Sequence, residues 1–350
     1  MRTKLLVAAL VLASAAAAGR ADDGLKTGNP DVKSATALAF GPKGLLFVGD
    51  AAGASIFAFD TGDNKPAGDK PLNVEKVDSK IAAALGTTDK DVKINDIRVN
   101  PASGNLFISA TRGTGAGTPA VLKVARDGTV TAVSLKDLPF ASVKIPNPAP
   151  AGAKGPPEVI TQMAFVDGKL IVAGLSSEQF ASTLRVIPFP FKEADKGTGI
   201  EIFHGAHGQL ETRSPIRTFV AYKVGKEDTI MASYTCTPLV KIPVADLKPG
   251  AKVKGTTIAE LGNGNRPLDM IVYTKDGKDF LLMANSKHGV LKIPTTDFAT
   301  VEPITAKTGP AGIKAEPIKE LTDVVQLDKL DDGHAILLLQ NGTLKTVPLP

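Results

Sequence analysis

The chain has 350 residues, with 41 basic and 36 acidic side chains, one cysteine and no tryptophan. Without the three basic residues of a predicted leader the net charge falls to +2, and the lysines are scattered, which excludes the basic face of a nucleic-acid-binding protein. The single cysteine, Cys236, excludes an intramolecular disulfide. A chain of this length can bury a hydrophobic core large enough to be stable without a disulfide.

Residues 1–21 have the pattern of a secretory signal peptide. Two basic residues are followed by the apolar run Leu5 to Leu12 and by the small residues Ala13 to Ala18. We predict cleavage near residue 21, which leaves one domain over residues 22–350 in the periplasm or outside the cell. The apolar run is too short to span a bilayer and no later stretch is long enough, so no transmembrane segment is expected after cleavage.

A unit of a short apolar strand, a Gly- or Asp-bearing turn and a second apolar strand occurs six times along the sequence. The second residues of these units lie 59, 66, 56, 51 and 54 residues apart. They are Ala37, Asp96, Gln162, Thr218, Asp269 and Asp323. This spacing suits one blade per repeat and predicts an all-β fold, a six-bladed β-propeller of four-stranded antiparallel blades.

The connections between the repeats predict further elements in chain order. Ile81 to Gly86 (IAAALG) is predicted as a short helix between blades one and two. Pro146 to Pro157 is rich in Pro, Gly and Ala and is predicted as a solvated connector. Gly197 to Ser214, which contains HGAHG, is predicted as an unusual loop before blade four, and loops on a rigid scaffold often carry function.

The sixth repeat ends at Pro350 after only three strands. We predict that Leu25 to Lys33, just after the leader, supplies its fourth strand. Closure by this N-terminal strand would join both ends of the chain and would remove a free sheet edge.

The strand and turn pattern resembles that of six-bladed propellers of the NHL, YVTN and SMP-30-like kind. The resemblance rests on the hydrophobic strands, the turn glycines and the similar endings Leu239 to Pro243 and Leu291 to Pro294. It covers nearly the whole mature chain and implies the fold. The WD dipeptide, tryptophan docking motifs and a kelch double glycine are all absent, and the metal-binding acids of SMP-30-like lactonases do not map onto this sequence.

Four residues are candidate metal ligands. In propellers of this kind, the loops between blades share a face with the loops that follow each second strand. That rule places His204, His207, Cys236 and His288 at one end of the channel, whereas His334 lies at the other. One thiolate with two or three imidazoles suits copper or zinc, and Tyr234 or a methionine, Met231 or Met283, could add a donor. The alternative is that Cys236 is a small buried hydrophobe and the histidines are surface residues.

The residues at the start of the inner strands form a second candidate site, at the channel mouth. They are Asp96, Gln162, Thr218, Asp269 and Asp323, with Arg217 and Arg266 nearby. Converging carboxylates can bind a calcium ion or carry out acid–base chemistry. The alternative is that each side chain caps the backbone of a blade.

No GxSxG, phosphate loop, CxxCH or HExxH motif is present, and no catalytic residue can be named. We therefore predict an exported propeller that binds a small-molecule ligand or a partner protein through its inter-blade loop face. The alternative is a copper- or zinc-dependent enzyme or redox protein that uses the Cys/His site. The sequence leaves the ligand, any reaction and the cofactor open.

Overall fold

A computed structural model of the chain describes residues 24–152 and 157–350. The predicted leader lies outside the described residues. Within them the fold is almost entirely β, with one α-helix, α1 (Val77–Leu85), and three short 3-10 helices. These are Pro42–Gly44, Asp89–Asp91 and Val244–Asp246. No helix in this part of the chain is long and apolar enough to cross a membrane.

The strands of the first half of the chain are β1 (Lys26–Thr27), β2 (Ala37–Phe40), β3 (Leu45–Asp50), β4 (Ser55–Asp60), β5 (Val92–Val99), β6 (Leu106–Arg112), β7 (Thr118–Val124), β8 (Val130–Val133), β9 (Pro139–Lys144), β10 (Gln162–Val166), β11 (Lys169–Leu175) and β12 (Ser182–Pro188). Those of the second half are β13 (Thr198–His204), β14 (Gln209–Glu211), β15 (Thr218–Val224), β16 (Glu227–Ser233), β17 (Pro238–Pro243), β18 (Lys252–Lys254), β19 (Thr256–Glu260), β20 (Pro267–Lys275), β21 (Lys278–Asn285), β22 (Gly289–Pro294), β23 (Ala311–Gly312), β24 (Glu316–Ile318), β25 (Val324–Lys329), β26 (His334–Leu339) and β27 (Leu344–Pro348).

These strands form six small sheets, one for each predicted blade, which confirms the six-bladed propeller. From the inner strand outward, blade one is β2-β3-β4-β9-β1, blade two is β5-β6-β7-β8 and blade three is β10-β11-β12-β13-β14 with β18 parallel to β13. Blade four is β15-β16-β17-β19-β23, blade five is β20-β21-β22-β24 and blade six is β25-β26-β27. Except for the β13–β18 pair, all the strand pairs are antiparallel.

Local sequence explains the hairpins within the blades. Strands such as β3 and β26 are nearly continuous apolar runs because both faces of a blade pack against neighbouring blades. Asp167-Gly168 and Asp276-Gly277 each have two consecutive positive φ angles, near 48° and 75° and near 50° and 71°. Such Asp-Gly pairs form the two-residue turns that match the twist of the strands they join.

The blades do not follow one another around the axis in chain order. The inner strand of blade one contacts those of blades two and three, and the inner strand of blade six contacts those of blades two and five. The order around the ring is therefore one, two, six, five, four, three. The cores agree, since Phe47 of blade one shares a cluster with Met163 of blade three, and Ile97 of blade two shares one with Ile336 of blade six.

This order changes the predicted closure of the last blade. Of the predicted segment, Lys26–Thr27 pairs with β9 of blade one, not with β27. Blade two separates blade one from blade six, and Gly28, Asn29 and Pro30 end the strand after two residues. The edge of β27 instead meets Leu72 to Val74, where Val74 and Leu344 exchange both backbone hydrogen bonds.

Two other predicted connections can be compared with the structure. The helix predicted at Ile81 to Gly86 is confirmed as the C-terminal part of α1, with Gly86 as its left-handed cap. The loop predicted over Gly197 to Ser214 is instead the β13–β14 hairpin. Thr198, Ile200 and Ile202 alternate with more exposed residues and are buried, which is the pattern of a strand.

Candidate metal centre

The β13–β14 hairpin presents both histidines of the HGAHG segment. His204 ends β13 in the buried register of that strand, and His207 follows in the turn. The backbone N–H groups of His207 and Gly208 both donate to the carbonyl of His204, at 3.1 and 2.8 Å. The two imidazoles are thereby held together, with ring centroids 3.9 Å apart.

Cys236 lies in the tight turn that joins β16 to β17 of blade four. Cys236 and Thr237 have φ angles of 64° and 56°, a left-handed conformation that is strained for residues other than glycine, above all for β-branched Thr237. The Cys236 N–H donates to the Asn265 carbonyl at 2.6 Å, and the Thr237 hydroxyl donates to the Gly262 carbonyl at 3.0 Å. The connection between blades four and five therefore holds this turn in place.

The β13–β14 hairpin of blade three and the β16–β17 turn of blade four bring His204, His207 and Cys236 together. One ring nitrogen of His204, one of His207 and the Cys236 Sγ all lie within 4.8 Å of one another. His204 is 2% exposed and Cys236 is 9% exposed. One thiolate and two imidazoles at this separation are a ligand set for a soft or borderline metal ion.

Glu211, on β14, contacts both imidazoles. Its two carboxylate oxygens lie 2.6 Å from His207 Nδ1 and 3.1 Å from His204 Nδ1. The His204 contact is an ion pair by distance but is poorly aligned for a hydrogen bond, so both buried ring nitrogens of His204 lack a hydrogen-bond partner among the described residues. A carboxylate at Nδ1 favours the tautomer that leaves Nε2 free to bind a metal.

The surrounding charges keep Glu211 ionised. Burial alone raises the pKa of this carboxyl, but hydrogen bonds with His207 and Ser214 and the nearby His204 imidazole outweigh burial and lower the pKa to about 2. The neighbouring Glu260 differs, because burial raises its pKa to about 7 against the hydrogen bonds from the Gly205 and Ala206 backbone. The centre thus combines a stable anion beside the imidazoles with a carboxyl that titrates near neutrality.

His288 is not a member of this group. It is exposed in the turn between β21 and β22, and its Nε2 packs on the backbone of Gly262, where a Cβ would come within 2.4 Å. The two methionines named as possible donors are separate too. Met231 and Met283 are buried in the core between blades four and five, and the buried Tyr234 hydroxyl has no hydrogen-bond partner among the described residues.

Three of the predicted channel-mouth residues form contacts between blades. The Asp96 carboxylate accepts from the Leu38 N–H of blade one at 2.7 Å, and Gln162 Oε1 accepts from the Phe219 N–H of blade four at 2.7 Å. Asp269 forms an ion pair with Arg98 across the channel, at 2.9 Å. These contacts support the interpretation that the side chains at the start of the inner strands cap the backbone of a blade.

The other four predicted channel-mouth residues have different surroundings. Asp323 has a φ of 58° and precedes β25, and Gln326 takes the inner position in blade six by donating to the Asn95 carbonyl at 2.8 Å. Thr218 is fully buried and its hydroxyl has no partner among the described residues. Arg217 pairs with Glu158. Burial lowers the pKa of the Arg266 guanidinium, and the nearby Arg217 lowers it further.

The centre of the channel contains two charged residues that the sequence reasoning missed, Arg98 and Asp328. Arg98 lies 3.3 Å from Asp96 as well as contacting Asp269, and Asp328 accepts from the Val99 N–H at 2.7 Å. Burial raises the pKa of Asp96 to about 7 and that of Asp328 to about 6, although Arg98 opposes both shifts. Arg98 follows Asp96 by two residues on one strand, so their shared face could have been read from the sequence.

No protein-family model matches the sequence, and neither does any curated protein. Solved structures resemble the fold. A chain of the mitotic checkpoint complex is 9% identical with a TM-score of 0.41, covering 99% of both chains. Virginiamycin B lyase from Staphylococcus aureus is 10% identical with a TM-score of 0.39, covering 93% of this chain and 98% of that one.

Hydrazine synthase from Kuenenia stuttgartiensis is 12% identical with a TM-score of 0.37, covering 89% of this chain and 75% of that one. Likenesses at these identities and TM-scores carry no argument about function. The fold assignment therefore stands on the sheet topology, and the function must be argued from the Cys/His group.

Proposed function

We propose that this protein is a metal-binding β-propeller that holds one copper or zinc ion at His204, His207 and Cys236. The observation that carries the proposal is the convergence of these three ligand atoms within 4.8 Å from two different blades. A buried imidazole without a hydrogen-bond partner is costly, and a bound ion would satisfy it.

Each residue has a distinct role in the proposed site. The Cys236 thiol loses its proton when metal binds and supplies the soft donor as a thiolate, so affinity rises with pH. The two imidazoles supply borderline donors. Glu211 accepts the Nδ1 proton of His207 and lies 3.1 Å from His204 Nδ1, so its charge orients both rings. The bound ion would supply Lewis acidity or, as copper, an electron-transfer centre.

The location outside the cytoplasm remains part of the proposal and rests on the signal-like pattern of residues 1–21. An exported protein with a single cysteine has no intramolecular disulfide to form, which leaves this thiol available as a ligand.

Metal titration of the purified, reduced, metal-free protein tests the proposal. With a competing chromophoric chelator present, we expect one equivalent of Zn²⁺ or Cu⁺ to bind. The Cys236→Ser and His204→Ala variants should bind more than about 100-fold more weakly, because each loses a direct ligand rather than a supporting group.

Two histidine variants are matched controls. His334→Ala removes an imidazole whose Nδ1 lies 2.8 Å from Asp331 in another turn, and His288→Ala removes the predicted ligand that lies outside the group. Both should leave affinity unchanged. Absence of stoichiometric metal, or equal binding by Cys236→Ser, would refute the site.

A further inference from the structure

Strand β19 of blade four lies against the end of β13, the strand of blade three that carries His204. The Thr257 hydroxyl donates to the Phe203 carbonyl at 2.6 Å, and Glu260 Oε1 accepts from the Gly205 N–H at 2.6 Å. The backbone is therefore held on both sides of His204. Because the two hydrogen bonds join different blades, they fix the histidine hairpin relative to blade four.

The end of β19 also holds the turn that carries Cys236. In the β17–β19 ladder, Glu260 pairs with Pro238, two residues after Cys236. The N–H of the next residue, Leu261, donates to the Thr237 carbonyl at 3.1 Å. Glu260 thus contacts the histidine hairpin through its side chain, while its strand is bonded to the cysteine turn.

A site built from two blades depends on contacts that set the distance between its ligands. Ligand atoms must be held within a fraction of an ångström of their binding positions, and loops that must first be ordered bind more weakly. Thr257 and Glu260 are 2% and 3% exposed, so water does not compete for their hydrogen bonds to the hairpin. Their position between the two ligand-bearing loops suits them to this role.

We infer that Glu260 and Thr257 are positioning residues for the metal centre, whose hydrogen bonds set the separation between the histidine hairpin and the Cys236 turn. This inference rests on the proposed metal site and extends it, because neither residue is one of the three ligands. Glu260 acts as a hydrogen-bond acceptor for the Gly205 N–H. An uncharged acceptor of the same shape should therefore replace it.

Two substitutions of Glu260 with side chains of similar size separate the hydrogen bond from the charge. Glu260→Leu removes the acceptor and should weaken Zn²⁺ binding about 10- to 100-fold, the usual effect of losing a supporting group at a metal site. Glu260→Gln keeps an acceptor for the Gly205 N–H and should bind Zn²⁺ nearly as the unmutated protein does. Competition with a chromophoric chelator measures the affinities.

Thr257→Val tests the other hydrogen bond without changing a charge. It should weaken Zn²⁺ binding about two- to tenfold, the value of a neutral hydrogen bond. Thr229→Val is the matched control. Thr229 is buried in the same blade, but it lies at the end of β16 far from Cys236, and its hydroxyl donates to the Glu227 carbonyl at 3.2 Å. Thr229→Val should leave Zn²⁺ affinity unchanged.

Denaturant unfolding of each metal-free variant separates positioning from a purely structural role. A structural role would change the free energy of unfolding but leave the Zn²⁺ affinity of the folded protein unchanged. Wild-type affinity in the folded Glu260→Leu and Thr257→Val variants, or equal loss of affinity in Glu260→Leu and Glu260→Gln, would overturn this inference alone. No Zn²⁺ binding by the unmutated protein would overturn the metal site as well.

Discussion

The molecule contains two clusters of chemically active side chains that differ in how well their polar atoms are paired. In the axial cluster of Asp96, Arg98, Asp269 and Asp328, both oxygens of every carboxylate contact a backbone N–H or the Arg98 guanidinium. In the outer cluster of His204, His207 and Cys236, the buried His204 ring has no hydrogen-bond partner at either nitrogen among the described residues.

This difference in pairing suggests different roles for the two clusters. A polar network whose members satisfy one another needs no further partner, and its removal should affect folding. A buried group without a partner carries a desolvation cost that a ligand can remove. The axial cluster therefore joins the blades, whereas the outer cluster is where we propose that an ion binds.

The largest expected effect concerns the axial cluster. Arg98→Met leaves three carboxylates without their shared cation, and breaking such a buried network should lower the free energy of unfolding by about 3–5 kcal/mol. Denaturant unfolding measures the change. Arg112→Met, at the exposed end of β6, is the matched control and should change stability little. Equal stability of the two variants would show that the cluster does not hold the blades.

A smaller effect is expected at Glu211 of the outer cluster. Glu211→Gln removes the charge that orients both imidazoles, and loss of such a supporting group should weaken metal binding about 10- to 100-fold. Competition titration measures the affinity, with the exposed Glu227→Gln as the control for loss of a carboxylate. If Glu211→Gln bound metal with wild-type affinity, Glu211 would not support the metal ligands.

The third expected effect is a pH dependence of stability. Burial raises the pKa of Asp96 from an ordinary value of 3.8 to about 7, so the folded protein holds this proton while the unfolded chain has lost it. Stability from this group is therefore lost as pH rises from about 4 to 7. Glu211, with its pKa lowered to about 2, has the opposite sign and loses its contribution as pH falls below about 4.5.

Unfolding free energies between pH 4 and pH 8 test the sign. Asp96→Asn should remove part of the decline toward pH 7, and Asp328, with a raised pKa of about 6, should preserve the rest. The same slope in the wild type and in Asp96→Asn would contradict the assigned titration.

The sequence predicted the six blades but not their order around the ring. The turns and apolar runs that define a blade are local, and Asp167-Gly168 and Asp276-Gly277 are visible in the sequence as hairpin turns. The order of the blades depends on packing between distant residues, such as Phe47 with Met163. Apolar side chains carry no local sign of which neighbour they will meet, so the exchange of blades one and two could not be foreseen.

The candidate sites were predictable to different degrees. The loop rule brought His204, His207 and Cys236 together because blades three and four are neighbours in either order. His288 was included by the same rule, although its ring packs on Gly262 instead. Arg98 was missed because one position per repeat was compared, and its partner Asp269 is 171 residues away.

X-ray absorption spectroscopy of the zinc-loaded protein tests the central claim most directly, because it identifies the ligand atoms. The account predicts one sulfur at about 2.3 Å and two imidazole nitrogens at about 2.0–2.1 Å, with the sulfur lost in Cys236→Ser. A shell of nitrogen and oxygen alone in the unmutated protein would contradict the metal centre.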